Sequence, residues 1–376
     1  MKGIQQRHIS FTDVKERARQ DKRNIIRMIS YVLDEGIFLH GEQNSRLEEK
    51  LCSLLGGGYI KTVASGHDAL LLALQSLRLS PRDEVMFPVN SYPTAFPVVL
   101  SGARPVPVDV DKNGQINPKE VEKKITNRTK AIIIVHLYGL IGDIEKIHAL
   151  TRKNKLVLIE DCAQSLGALF KGRTVGTWGD ISCFSFYPTK NVGTIGDGGA
   201  VWTRNTKYHQ FFTQARSYGE EIRYKSLFIS GHSRLPETQA GVISLYLARF
   251  GRELEKKKKI ALIYRQTFRR KKLLSYMTFL STSVPSTPSY HLMVVRAQKR
   301  DKLQAFLKKY HIESLIHYPY PVHLVPAFSH LGFKKGDFPC AEGLAKEIIS
   351  LPFHAFLRRH DIEYIAETIH MFYEKN

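Results

Sequence analysis

The sequence predicts an α/β fold, in which a mainly parallel sheet lies between helices and a smaller α+β domain follows. Short apolar runs recur between residues 84 and 202, and stretches with helical character separate several of them. Strands that alternate with helices form βαβ units, and such sheets have both faces covered. The length of 376 residues is enough for two domains with a large buried core.

The first predicted element is a buried helix over residues 68–77. This segment consists of strong helix formers, with apolar side chains nearly all round. The predicted strands then follow at 84–88, 105–110, 131–136, 156–160, 181–186 and 199–202. Helices are predicted at 117–125 and 143–153, between successive strands.

A long charged helix over 236–272 is predicted to end this first part of the chain. Beyond it the pattern indicates a strand at 291–296, a helix at 300–309, a strand at 313–318 and a final helix at 361–373. We therefore divide the chain into a large domain of residues 1–250 and a small α+β domain of residues 251–376.

The composition is that of an ordinary globular protein, with 43% hydrophobic and 24% charged residues. The N-terminus has no apolar signal core, and no uncharged apolar run is long enough to span a membrane. The four cysteines lie far apart, without the spacing of a metal site. These features predict a cytoplasmic protein with reduced thiols, no metal and no membrane insertion.

The charge is unusual, since 56 basic residues face 35 acidic ones and the net charge is +21. The densest basic segment is 251–275, which has ten lysines or arginines and includes the lysine run 256–259. Nucleic-acid binding and attraction of an anionic substrate are two interpretations. The third, a solvated helix face, is favoured because no nucleic-acid-binding motif accompanies the charge. We expect the run 256–259 to lie far from any active site.

A lysine in a glycine-rich turn points to the chemistry of this chain. Lys190 follows Ser185-Phe-Tyr-Pro-Thr, and Asp161 ends an apolar run upstream, with Gln164 three residues later. A lysine amine forms a Schiff base with the aldehyde of pyridoxal phosphate, and a carboxylate holds the pyridine nitrogen protonated. A lone lysine here would be a solvated turn residue, but this context favours a pyridoxal phosphate site. The amide of Gln164 is placed to reach the same ring edge.

Further residues fit the phosphate and the ring of that cofactor. Ser65 and the backbone N–H groups of Gly66 and His67 begin the buried helix, and helix N-termini bind phosphate. Ser185 ends a predicted strand and offers a hydroxyl to the same phosphate. Tyr92 follows another strand and is a candidate for stacking on the ring. Each signal alone is weak, because a helix cap or a core aromatic explains it equally well.

Taken in order, the motifs resemble those of the DegT–DnrJ–StrS family of nucleotide-sugar aminotransferases. This family uses pyridoxal phosphate on fold type I, which is the aspartate-aminotransferase-like fold. The resemblance runs almost end to end and includes the segments 38–41, 65–70, 83–88, 102–109, 135–139, 159–164, 215–219, 233–240, 290–292 and 317–321.

The resemblance implies a role for each cofactor residue. Lys190 is expected to carry the cofactor and to move protons, and Asp161 to pair with the pyridine nitrogen. Gln164 is expected to contact the ring hydroxyl, and Tyr92 to stack on the ring. The phosphate is expected to be held by Ser65, Gly66, His67 and Ser185.

The resemblance also implies a homodimer with shared active sites. His232 stands where relatives usually have an asparagine that reaches the neighbouring subunit's phosphate, and His67 stands where they often have threonine. Imidazole can still donate a hydrogen bond, so pyridoxal phosphate binding is expected to persist. The substrate is expected to contact Tyr187, His317 and Tyr318.

The implied reaction is transfer of an amino group from L-glutamate to a nucleotide-linked keto-6-deoxysugar, carried on dTDP or UDP. It would serve deoxyaminosugar and surface-polysaccharide biosynthesis. Lys190 argues against a dehydratase branch of this fold, which has histidine instead. The segments 232–235 and 316–324 favour amination at C3, with C4 as the alternative. A non-catalytic regulator with this fold and a nucleic-acid-binding protein are the alternatives from other classes.

Overall fold

The computed structural model describes residues 7–375. The strands in chain order are β1 (Tyr59–Val63), β2 (Glu84–Pro88), β3 (Arg104–Val108), β4 (Thr129–Val135), β5 (Val157–Asp161), β6 (Leu169–Phe170), β7 (Arg173–Thr174), β8 (Ile181–Ser185), β9 (Gly199–Thr203), β10 (Glu220–Ile222), β11 (Lys225–Ser226), β12 (Met277–Phe279), β13 (Ser286–Thr287), β14 (Met293–Ala297) and β15 (Ile348–Leu351).

Helices connect most of these strands. The α-helices are α1 (Val14–Glu35), α2 (Glu42–Leu54), α3 (Gly66–Gln75), α4 (Tyr92–Leu100), α5 (Pro118–Lys124), α6 (Ile144–Asn154), α7 (Thr206–Ala215), α8 (Glu237–Leu247), α9 (Phe250–Arg270), α10 (Arg300–Lys309), α11 (Pro339–Glu347) and α12 (Arg359–Lys375). Among the residues described, none of them is both long and apolar enough to cross a membrane.

The central sheet has seven strands in the order β1-β9-β8-β5-β4-β2-β3. Strand β9 runs antiparallel to both of its neighbours, and the remaining pairs are parallel. Alternate residues of β4 join different cores: Ile132 and Ile134 pack in one, and Ala131, Ile133 and Val135 in the other. Two apolar cores on opposite faces explain why these strands read as continuous apolar runs. The predicted mixed, mainly parallel sheet is confirmed.

A third core lies in the C-terminal part of the chain. It packs the antiparallel sheet β12-β14-β15 against residues of α9, α10 and α12, such as Tyr264, Leu303 and Ile365. Ile9, near the start of the described residues, also belongs to this core. An α+β unit is therefore present after α9 begins, while the boundary between residues 250 and 251 stays a prediction.

The predicted strand at 313–318 is wrong. Only an isolated bridge between Leu315 and Ser350 forms there, and the third strand of the small sheet is β15, which is buried at every position. The segment 313–318 alternates exposed and half-buried residues without a buried face. Leu315 and Ser350 exchange two backbone hydrogen bonds, so the segment touches β15 at the edge of the small sheet without continuing as a strand. Beyond this bridge the chain carries His317 and Tyr318 to the candidate active site.

The predicted single helix over 236–272 is two helices, α8 and α9, separated at Ala248 and Arg249. Helix α8 is buried on nearly all sides against α1 and α2, whereas α9 buries one face against the C-terminal core. The different partners require a change of direction, and Arg249 is anchored at the break by Asp21. Pro236 occupies the N-cap position of α8 rather than its first turn.

Candidate active site

The predicted catalytic residues meet at the carboxyl ends of the parallel strands. Strand β5 ends at Asp161, β8 ends at Ser185, and β1 leads into Ser65 at the start of α3. Ligands of open α/β sheets bind at this edge. A cavity of about 110 Å³ lies there, lined by Gly66, His67, Leu70, Ser91, Pro93, Thr94, Val135, Leu137, Asp161, Ala163, Gln164, Ser185, Lys190 and Tyr318.

Asp161 is held rigidly in this cavity. Thr94 Oγ1 donates to its Oδ2 at 2.7 Å, and the backbone N–H of Ala163 donates to its Oδ1 at 3.1 Å. Burial raises the pKa of the carboxyl, although these two hydrogen bonds and the Lys190 amine favour the charged form. A cationic partner in the cavity, such as a pyridinium, would restore the charged form.

The Lys190 amine is held ready to react with an aldehyde. The residue is half-buried, and protein atoms surround its amine. The resulting loss of water lowers the pKa of Lys190 to about 8, although the charge of Asp161 acts in the opposite direction. A neutral amine is the nucleophile in Schiff-base formation, so the lowered pKa increases the reactive fraction. The backbone position is fixed by two hydrogen bonds: Lys190 N–H donates to Tyr187 O at 2.8 Å, and Arg17 donates to Lys190 O at 3.2 Å.

Another part of the cavity combines the start of α3 with the end of β8. Ser65 caps α3 by accepting from the N–H of Asp68 at 3.1 Å. A Cβ atom added to Gly66 would lie 2.6 Å from the Cβ of Ser185, so only glycine lets the helix start approach the end of β8. The N–H groups of α3 and the Ser185 hydroxyl are therefore close together, as anion binding at a helix N-terminus requires.

Gln164 is oriented by its neighbours. Its Oε1 accepts from the N–H of Tyr138 at 2.6 Å, which leaves the amide N–H₂ to donate within the cavity. The hydroxyl of Tyr318 is hydrogen-bonded to Gln164, and burial together with the charge of Asp161 raises the pKa of Tyr318 to about 12. Gln164 and Tyr318 thus present neutral polar groups beside the cavity.

A second, larger cavity adjoins the first at Lys190. It has a volume of about 370 Å³, and its lining includes the three predicted substrate residues Tyr187, His317 and Tyr318. Burial and the charge of Lys190 lower the pKa of His317 to about 4, so its imidazole is neutral near pH 7. Its Nδ1 lies 2.9 Å from Ser350 Oγ. Lys190 lines both cavities, as do Gln164 and Tyr318.

Three predicted cofactor residues lie outside the lining of the smaller cavity. Ser65 caps α3, and Tyr92 is 38% exposed with its ring against Phe96 at 5.0 Å. His232 is exposed, pairs with Ser217 in an isolated bridge and contacts the ring of Tyr218. Their roles in cofactor binding stay predictions.

The expectation that the lysine run 256–259 is solvated and remote is wrong for one member. Lys257 is buried and lines the larger cavity together with Lys190, whereas the other three lysines are exposed. The sequence held a signal for this, because Phe250, Lys257 and Tyr264 are spaced by seven residues and share the buried face of α9.

Sequence reasoning also missed Thr94, Arg17 and His291. Thr94 lies on α4, two residues after Tyr92. Its polar side chain in a segment already considered for the cofactor could have identified it. Arg17 has no such signal, since it reaches Lys190 across 173 residues of chain. His291 is buried in the larger cavity and lies inside a segment of the family resemblance.

Comparison with known proteins places this site in a family. The family model described as the DegT/DnrJ/EryC1/StrS aminotransferase family matches residues 19–370. The chain belongs to this family. Its site, with an activated lysine, an oriented aspartate and a helix N-terminus, fits the aldehyde, the pyridine nitrogen and the phosphate of pyridoxal phosphate. Solved aminotransferases of the same fold carry this cofactor or its pyridoxamine form, and pyridoxal phosphate is the cofactor here.

Individual members are similar to the chain over nearly its whole length. A "pleiotropic regulatory protein" of Geobacillus stearothermophilus is 35% identical, covering 97% of this chain and 99% of its own. A dTDP-3-amino-3,6-dideoxy-α-D-galactopyranose transaminase of Aneurinibacillus thermoaerophilus is 34% identical with the same coverage. The structure of S. venezuelae DesV in complex with a ketimine intermediate has a TM-score of 0.94 and 34% identity, covering 98% of this chain and 99% of that one.

Proposed function

We propose that the protein transfers an amino group from L-glutamate to C3 of a nucleotide-linked keto-6-deoxysugar carried on dTDP or UDP. The position of Lys190 carries this proposal. Lys190 lines the smaller cavity, where pyridoxal phosphate would bind, and also the larger cavity, which Tyr187, His317 and Tyr318 line. Such a lysine can exchange the cofactor with an incoming amine and then serve as a base or acid for the substrate.

When bound, pyridoxal phosphate supplies an aldehyde for the amine and a ring that withdraws electrons. The residues of the chain would position the cofactor and transfer the protons. Asp161, which Thr94 and Ala163 orient, would hold a proton on the pyridine nitrogen. Lys190, with a pKa of about 8, can accept a proton from the substrate carbon and return one near neutral pH.

Amination at C3 is supported by relatives as well as by the segments 232–235 and 316–324. The relative from Aneurinibacillus thermoaerophilus is by name a transaminase for a 3-amino sugar, and it matches this chain nearly end to end. In the structure, the second segment brings His317 and Tyr318 to the larger cavity. The name of that relative also supports a place in deoxyaminosugar biosynthesis. Its use for surface polysaccharide, and its location in the cytoplasm, are part of the same proposal.

A homodimer is supported by large apolar side chains that this chain leaves exposed. Ile37, Phe38 and Leu39 are exposed, as are Ile222, Tyr224, Leu227 and Ile229. Residues next to the segments 37–39 and 222–229 are in contact, since Ser217 Oγ lies 3.3 Å from His40 Nε2. Ser217 also pairs with His232 in an isolated bridge. Large exposed apolar patches mark interaction sites. If a second copy of the chain binds here, His232 of one subunit would lie towards the cofactor phosphate of the other.

A panel assay tests the reaction. Purified protein loaded with pyridoxal phosphate is incubated with glutamate and with 3-keto and 4-keto sugars on dTDP and UDP. We expect 2-oxoglutarate and a 3-amino sugar to form in equal amounts, and Lys190→Ala to form neither. Product from 4-keto sugars alone would overturn C3 amination. No turnover with any sugar, together with specific DNA binding, would favour a regulator.

A further inference from the structure

One buried lysine of the larger cavity has no acidic partner. Lys257 is 5% exposed, and its ammonium donates to Oδ1 of Asn191 at 2.8 Å. The two acids whose charge reaches it, Asp13 and Glu253, are already paired with Arg17 and Arg249. Among the described residues, Lys257 therefore has no carboxylate of its own.

An unpaired buried cation requires an explanation. Removing an ammonium from water without a counter-ion is costly, and such groups are normally paired or neutralised. An ammonium has three N–H donors, and the bond to Asn191 uses one. Because Lys257 lines the same cavity as Lys190, the missing anion can be supplied by a molecule that enters this cavity.

A second polar group in the cavity also lacks a partner. His291 is 6% exposed, and within the described part of the chain its Nδ1 makes no hydrogen bond. Burial and the charges of Lys190 and Lys257 lower the pKa of His291 well below its ordinary value. A neutral imidazole can still donate one N–H. Lys257 and His291 both line this cavity, and each has hydrogen-bonding capacity that the described residues leave unused.

The surroundings indicate a small anion with a single charge. The lining combines apolar side chains, such as Phe11 and Phe353, with polar ones, and the carboxylate of Asp13 in it is already paired with Arg17. One ammonium balances one carboxylate, whereas a diphosphate would remain undercompensated there. The amino donor must bring its amine to Lys190, and its carboxylates then fall within the same cavity.

We propose that Lys257, together with His291, binds a carboxylate of the amino-acid donor. This inference rests on the proposed function, because it assigns the donor's place in the same site. Lys257 is then a specificity-determining residue that selects amino acids over amines without a carboxylate.

The test uses glutarate, a dicarboxylate that has no amine and cannot react with the cofactor. Its affinity for the protein loaded with pyridoxal phosphate is measured by calorimetry, in wild type and in Lys257→Gln. Glutamine can keep the bond to Asn191 but has no charge. We expect glutarate to bind roughly tenfold more weakly or worse, as for loss of a hydrogen bond to a charged group. Lys259→Gln, the same change at an exposed position of α9, is the matched control and should bind as wild type.

Uridine diphosphate is the second probe, and its affinity should be the same in all three proteins. Unchanged glutarate binding in Lys257→Gln, or a loss confined to uridine diphosphate, would overturn the proposal. If Lys257→Gln fails to fold, His291→Asn replaces it, and wild-type glutarate affinity in that variant would equally overturn the shared subsite. Glutarate binding needs no turnover, so failure of the sugar assay alone would contradict the proposed function and leave this inference standing.

Discussion

At the scale of single residues, burial and two or three hydrogen bonds set the chemistry of the site. Lys190 and Asp161 are both desolvated, and each favours the charged form of the other. The lysine nevertheless has a pKa of about 8, because the loss of water outweighs the attraction of one carboxylate. Thr94 and Ala163 determine where that carboxylate points.

This balance predicts the pH dependence of cofactor uptake. The rate at which cofactor-free protein binds pyridoxal phosphate covalently should rise with pH and level off above about 8, where Lys190 is neutral. An ordinary lysine would level off above about 10.4 instead. Asp161→Asn should move the midpoint to lower pH, since removal of the anion destabilises the ammonium. Stopped-flow absorbance measures the rate.

Peptide mapping after borohydride reduction identifies the amine that reacted. Lys257→Gln is the control, because Lys257 is buried in the same cavity and its pKa is also lowered to about 8. Its replacement should leave the midpoint where it is. A midpoint near 10, or the pyridoxyl group on a lysine other than Lys190, would refute the assignment.

At the scale of elements, the ends of strands and helices place these groups. Strand β5 presents Asp161, β8 presents Ser185, and α3 begins beside them. The approach of α3 to β8 depends on Gly66, where a Cβ atom would lie 2.6 Å from that of Ser185. To relieve this contact the backbone of α3 would have to shift, and its first N–H groups would move with it.

Gly66→Ala should therefore weaken cofactor binding and leave the fold intact. We expect the dissociation constant of pyridoxal phosphate to rise by roughly tenfold, within the range that a forced contact in a packed region produces. Fluorescence titration of the cofactor-free protein measures it. Gly343→Ala is the matched control, since Gly343 lies in α11 with no heavy atom within 4 Å of an added Cβ. Equal affinities for the two variants would show that the close approach is dispensable.

At the scale of the whole molecule, this chain leaves several large apolar side chains exposed. The segments 37–39 and 222–229 contribute exposed apolar side chains, and Ile229 is fully exposed. His232 adjoins these segments through Ser217, on the outside of the smaller cavity. Within a single chain, His232 therefore does not line the cavity whose phosphate the family resemblance assigns to it.

Subunit exchange tests a shared active site. Lys190→Ala removes the reactive amine, and His232→Asp should repel the phosphate of the neighbouring subunit. Each variant alone should be inactive or nearly so, whereas a mixture allowed to exchange should recover up to about a quarter of wild-type activity. That fraction follows from random pairing, in which half the dimers are mixed and each has one intact site. A fully active monomer at high dilution, or no recovery despite exchange, would contradict the arrangement.

The sequence by itself determined the fold class, several element bounds and the main cofactor groups. Residues 84–88 and 300–309 form the predicted strand and helix, and Lys190, Asp161, Gln164 and Ser185 line one cavity. These features are readable because periodicity, apolar runs and glycine-rich turns are local. The family motifs add the order in which they occur.

The tertiary structure alone decided which polar residues are buried and which residues they contact. Arg17 contacts Lys190 from 173 residues away, and Lys257 turns inward from a run whose other lysines are exposed. The break between α8 and α9, and the single bridge that replaces the predicted strand at 313–318, likewise depend on contacts with distant parts of the chain. Burial is a property of the packed molecule, so the charges that matter most at this site were the least visible in the sequence.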